Sequence, residues 1–181
     1  MHRLTHYQLT SFKKSLCTHP LTKRSAPTRR RWEPVGFGDY DTLTMPELAL
    51  TDMEYFFWVC NCPSLDEKLQ RDADLVRALT TRIKRPGDLG PDWRFVMTES
   101  NQRVDRIVLM READMRKKSR GVVWESDLLD CQVLMDRYPQ TRWDTAMHLE
   151  HFIWKLYFAE LQEAPSKKKC LEYFENRGNF G

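Results

Sequence analysis

Cys60, Cys62, His148 and His151 are side-chain types that hold zinc, and spacing decides whether they do. Structural zinc pairs follow C-x(2–4)-C and H-x(3–5)-H. Cys-x-Cys and His-x-x-His fall outside both patterns, and on a helix the two histidines share a face with Lys155, which reads as a solvated stripe. His148-Leu149-Glu150 supplies the H-x-E half of the zinc-deaminase pattern, but the P-C-x-x-C half is missing and only Cys170 follows. Asp52-Met53-Glu54 reproduces the D-x-E with which proofreading exonucleases hold two metal ions. That chemistry needs further carboxylates about 4 Å across from the pair, and the aromatic run behind it reads as helix instead of strand. Pro91-Asp92 with Glu99-Ser100-Asn101 follows the PD-(D/E)xK nuclease outline, but Asn101 stands where the water-activating lysine belongs. The sequence therefore assigns no catalytic residue, no metal ligand and no cofactor, and points to a non-enzymatic protein.

Positive charge is the clearer signal. Arg103, Arg106, Arg111, Arg116, Lys117, Lys118 and Arg120 fall within 18 residues, against Asp105, Glu112 and Asp114. Trp93 and Trp124 flank this strip, as residues that stack on bases would. A second cluster comprises Lys23, Arg24, Arg29, Arg30 and Arg31. Residues 1–32 hold eight Lys or Arg and no Asp or Glu, whereas 33–181 hold 21 basic and 26 acidic residues, a net charge of −5. A basic arm on a mildly acidic body seeks anionic partners, whether nucleic acid, a membrane surface or an import receptor. The arm is also rich in Ser and Thr, a composition shared by mitochondrial transit peptides and by plain disordered tails.

The elements that must position these groups follow from periodicity and punctuation. Residues 1–32 are expected as a flexible arm and 33–181 as one globular domain. Val35 to Tyr40, with Gly36 and Gly38, reads as a short strand running into a tight turn. Thr44, Pro46 and Glu47 signal a helix start, and Asp52 to Cys60 a short helix buried on most sides. Ser64 and Glu67 form a capping box for a helix over 64–85, with Leu65, Leu69, Ala73, Val76, Leu79 and Ile83 as one stripe before Pro86-Gly87. Residues 93–97 and 104–110 read as a hairpin turning through 98–102, and 122–124 as a third strand. Helices are expected over 127–138, 141–163 and 166–176, the last closed by Gly178. The fold class is α+β: a helix-rich domain with a small antiparallel hairpin or three-stranded sheet.

Phe37-Gly38-Asp39-Tyr40, Leu48 and Tyr55-Phe56-Phe57-Trp58 resemble the exodeoxyribonuclease X C-terminal-like module, shared with a bacterial family of quorum-sensing-regulated virulence factors. The family pattern runs F-G-K-Y-K-G, then a Leu, then Y-L-x-W-L. Asp39 and Asp41 stand here in place of its two lysines and Thr42 in place of its glycine. The resemblance covers residues 36–60. It implies contact with nucleic acid, and no nuclease centre within the module. On a helix, Tyr55 and Trp58 would pack over the Phe37-Gly38 turn.

Five widely scattered cysteines do not make a disulfide scaffold and fit a reducing compartment. No apolar run approaches the roughly 18–20 residues of a membrane span, so no membrane partner is expected. The location implied is cytoplasmic, or mitochondrial if the arm is a transit peptide. Three function classes follow. The first is a DNA- or RNA-binding or accessory protein, and the second is a protein–protein adaptor with an aromatic interface, which solvent exposure of Trp143 or Trp154 would favour. The third is a metal-dependent nuclease.

Overall fold

An antiparallel bridge between Pro34 and Thr44 closes a loop in which Val35 N–H donates to Leu43 O at 2.7 Å and Gly36 N–H to Asp41 O at 2.8 Å. Gly36 and Gly38 sit at φ +77° and +70°, where a side chain is strained, so the expected strand gives way to a tight turn. The computed structural model describes residues 30–115, 121–159 and 163–181. Contacts along the chain separate Met1–Arg31 from Trp32–Gly181. The body is α+β, with seven helices among the described residues, a three-stranded antiparallel sheet and a two-stranded ribbon.

Helix α1 spans Met45–Thr51, and its residues Met45 to Leu50 are all buried. Thr44 donates its backbone N–H and its hydroxyl to Glu47 Oε2 at 2.9 and 2.6 Å, closing the helix start that Thr44 and Glu47 signalled. Asp52 alone separates α1 from α2 (Met53–Cys60), and its Oδ1 accepts the Tyr55 N–H at 2.8 Å. Phe56, Phe57, Val59 and Cys60 face inward. A helix enclosed on nearly every side needs a largely apolar surface, and the charged residue that α1 buries, Glu47, is the one Thr44 bonds.

Helix α3 spans Glu67–Thr80. Its cap is Asp66 and not Ser64: Asp66 Oδ1 accepts the Lys68 and Leu69 N–H groups, both at 2.9 Å. The helix also stops five residues short of the expected end. The Thr80 and Thr81 hydroxyls bond back to Arg77 O and Ala78 O, offering the backbone an alternative to further helix. Ile83–Lys84 then forms β1, paired antiparallel with β5 (Leu128–Leu129).

Strands β2 (Trp93–Ser100), β3 (Arg103–Arg111) and β4 (Val122–Ser126) are ordered β3-β2-β4. The β2–β3 turn is only Asn101-Gln102, both at positive φ as a two-residue hairpin turn of this twist requires. Strand β2 therefore runs on through Ser100. Helix α4 (Glu112–Met115) is a single turn, and α5 (Cys131–Arg137) is capped by Asp130 Oδ1 on Val133 N–H at 2.9 Å. Leu128 and Leu129, expected in that helix, are strand residues. Helix α6 (Arg142–Ile153) continues as one wider π turn over Trp154–Phe158 and ends at Ala159 in the left-handed region. Helix α7 (Lys167–Glu175) ends at Asn176, and Gly178 lies in the following turn. Phe180 then bridges Ile83, and Gly181 N–H donates to Arg82 O at 2.7 Å. Met45, Leu48, Leu50, Phe56, Phe57, Phe95, Met97 and Leu134 are among the side chains at the centre.

The corrected cap is directly testable. Asp66→Ala should lower the unfolding free energy by about 1 kcal/mol. Ser64→Ala should change it by less than about 0.5 kcal/mol, both read from urea unfolding midpoints.

Candidate nucleic-acid interface

The register of the sheet decides where the cationic strip points. Trp93 pairs with Arg111, Phe95 with Leu109 and Met97 with Ile107, so these share one face. Phe95, Met97 and Ile107 are buried, and α6 packs against this strand pair. A bulge between Thr98 and Glu99 resets the alternation so that Val104 also turns inward. Arg106, opposite Thr98, and Arg103, opposite Ser100, point to the other face and are exposed. The strip is thus divided. Arg103 and Arg106 share the outward face, while Arg111 lies on the core side with its guanidinium 5.2 Å from the Trp93 ring and 3.9 Å from Asp92.

Charge on the outward face is partly balanced. Among the described residues Arg103 and Arg106 are in no ion pair, and Asp105 between them accepts a hydrogen bond from the Thr98 hydroxyl at 3.3 Å. Further along the same face Arg94 pairs with Glu112 and, at 2.7 Å, with Asp127, which also holds Arg85 at 3.2 Å. Arg85, Arg94 and exposed Lys84 line an open groove of about 580 Å³ with Gly87 and Leu89. Sequence reading missed these three cations. Arg85 and Lys84 were assigned to a helix end, and Arg94 stood among apolar strand residues. Trp124 pairs with Met97, lies on the core side and packs against the core, and Trp93 occupies the far end of the sheet. Lys23, Arg24, Arg29, Arg116, Lys117, Lys118 and Arg120 lie outside the described residues. Arg30 and Arg31 are described and exposed.

A second cluster forms where the glycine turn meets α2. Tyr55 sits over Gly38, where any Cβ would collide with its hydroxyl. Tyr40 and Tyr55 make an edge contact with centroids 5.1 Å apart, and Trp58 lies 5.1 Å from Tyr55 and is 57% exposed. Tyr40 OH donates to Asp52 Oδ2 at 2.8 Å, and this bond, with burial and the negative charge around it, pushes the phenol up to about 12. From α6, Glu150 reaches the same junction, its Oε1 accepting the Met53 N–H at 2.6 Å. Glu150 is 8% exposed, and burial raises its carboxyl pKa to about 8, opposed by the Met53 bond and assisted by Asp52.

The motifs weighed for catalysis are dispersed. Asp52 caps a helix, and Asp92 and Glu99 stand seven strand residues apart, on the order of 20 Å. Glu99 accepts from the Tyr138 hydroxyl. Cys60 is buried, which pushes its thiol up to about 12, whereas half-buried Cys62 meets the Ser64 hydroxyl, which lowers its pKa. Among the described residues no three His, Cys, Asp or Glu side chains converge as a metal-ion cage. Trp143 is 62% exposed, whereas Trp154 is buried with its indole N–H on Leu50 O at 2.7 Å. No family model, no curated protein and no solved structure matches the chain.

Glu150 fixes a pH dependence. A carboxyl whose pKa is higher folded than unfolded stabilises most at low pH, and that stability is lost as pH rises from about 4.5 through 8. Glu150→Gln keeps an oxygen for the Met53 N–H and removes the titration. Urea midpoints between pH 5 and 9 should fall less steeply for this variant than for the parent protein, and above pH 8 the variant should be the more stable.

Proposed function

We propose that the protein is a non-enzymatic nucleic-acid-binding or accessory protein, contacting phosphates through the outward face of its sheet and the basic segments flanking the body. The observation that carries this is the pair Arg103 and Arg106, exposed together on one strand face and in no ion pair among the described residues. The groove cations Lys84, Arg85 and Arg94 extend that face, and the 116–120 segment, four of whose five residues are basic, lies between β3 and β4 in the sequence. Tyr55 seated over Gly38 is the packing expected of the module resembled by residues 36–60 and supports this reading. Phosphate contact does not require a catalytic centre, and two carboxylates of the motifs weighed for catalysis have structural partners, Asp52 capping α2 and Asp92 lying 3.9 Å from Arg111.

Salt dependence tests this reading. Binding of a DNA or RNA oligonucleotide to the full chain should weaken steeply as salt rises. Arg103→Ala and Arg106→Ala should each reduce the slope of log affinity against log salt by about 1, while Asp105→Asn should tighten binding. Affinity that is absent, or unmoved by salt and by these substitutions, rules the reading out.

A second reading, a protein–protein adaptor, is favoured by Trp143, since an indole exposed at the start of a helix is a typical interface anchor. A photoreactive residue in place of exposed Gln140, three residues before Trp143, should then cross-link one partner in cells, and Trp143→Ala should reduce that adduct. The absence of any adduct rules that reading out.

A further inference from the structure

We infer that the aromatic face built from Tyr40, Tyr55 and Trp58 is a docking site for an arginine-rich segment of a partner protein. It is a separate surface from the arginine face of the sheet, and the inference does not depend on the nucleic-acid reading. Three rings form a continuous ladder with successive centroids 5.1 Å apart, and its outer member is more than half exposed. Acidic residues adjoin its members along the chain: Asp39 and Asp41 are exposed on either side of Tyr40 in the turn, and Glu54 lies one helical turn before Trp58 on the same helix face. Among the described residues none of these three is in an ion pair, in contrast to Asp92, Asp127 and Asp136, each of which is paired with an arginine.

The chemistry selects the occupant. Like charges around an aromatic surface repel phosphate and one another, and an incoming cation relieves both. Ring faces attract cations, tryptophan most of all. Guanidinium suits the site better than ammonium, because it stacks flat on a ring while bonding a carboxylate with two N–H groups. A nucleic acid would have to bring its phosphates against Asp39, Asp41 and Glu54.

The test titrates a hexa-arginine peptide into the full-length chain and follows two-dimensional ¹H–¹⁵N NMR, with hexaglutamate and a single-stranded DNA oligonucleotide as comparisons. Hexa-arginine should saturably move the Trp58 indole signal and the amide signals of residues 38–41 and 54–58, and hexaglutamate should leave them in place. Trp58→Ala and, separately, Asp39→Asn with Asp41→Asn should each weaken the peptide about fivefold or more. Both changes fall on exposed side chains, and an otherwise unchanged spectrum confirms that the fold is intact. The proposal is overturned by stationary signals at this face, by undiminished affinity in both variants, or by DNA moving the same signals. Hexalysine binding as tightly as hexa-arginine also overturns it, since that would be charge attraction without ring stacking.

Discussion

The break in the chain at Asp52 is the constraint on which the remaining structure depends. Helices α1 and α2 meet there with one residue between them, which leaves backbone groups at the buried junction without helical partners. Two side chains of the α6 segment supply what is missing. Trp154 donates its indole N–H to Leu50 O, and Glu150 accepts the Met53 N–H, four residues apart and so one above the other on one helix face. Leaving either backbone group unpaired in the interior would cost roughly 1–3 kcal/mol. The requirement therefore fixes α6 in register against α1 and α2. Its other side packs on β3, so the same helix positions the sheet.

That arrangement also sets where charge is exposed. The sheet turns Arg103 and Arg106 outward because Val104, Ile107 and Leu109 must face α6 and the core, and the Thr98–Glu99 bulge is what lets Val104 join them. The α1–α2 junction holds Asp52 between Tyr40 and the start of α2, which places Tyr40 against Tyr55 and leaves Asp39 and Asp41 at the rim. One fold thus presents two exposed arginines on a strand face that also carries Asp105 and Glu125, and elsewhere an aromatic surface with exposed aspartates in the adjoining turn. Neither follows from the net charge, which is small for a body of this size.

Much of the architecture was legible because the relevant signals are local. The stripe from Leu69 to Leu79, the apolar run from Met53 to Cys60 and the β-prone segments around Asn101 each name their own element. What was missed depends on partners distant in sequence or on competition within a few residues. Ser64 and Asp66 both offer a cap, and Asp66 prevails because its carboxylate can accept two N–H groups at once. Ile83 completes a helical stripe as well as a strand, and pairing with Leu129, 46 residues later, decides for the strand. Glu150 looked like half of a zinc motif. Only the fold shows that its partner is the N–H of Met53, 97 residues away. The cationic strip was legible as composition, but its division between two faces depends on a bulge that no residue type announces.

Trp58 shows how folding and function can be separated at one position. Helix α2 buries Met53, Phe56, Phe57, Val59 and Cys60, and its outward line runs through Glu54, Trp58 and Asn61 at a spacing of four and three. Glu54 and the Asn61 cap show that polar side chains suit that line, and Asn61 bonds Phe57 O and Arg77 without apolar help. The core therefore makes no demand for an indole at 58. Its inner edge rests on Tyr55, but more than half of it faces water, where its apolar area lowers solubility and adds little to stability. Tyr40 and Tyr55 carry out the structural work where the turn meets α2, holding Gly38 and Asp52 in place. The indole beyond them extends their ring surface into solvent on a helix line it shares with Glu54, while Asp39 and Asp41 are exposed in the turn that carries Tyr40; a cationic partner would find all three carboxylates outside any ion pair among the described residues.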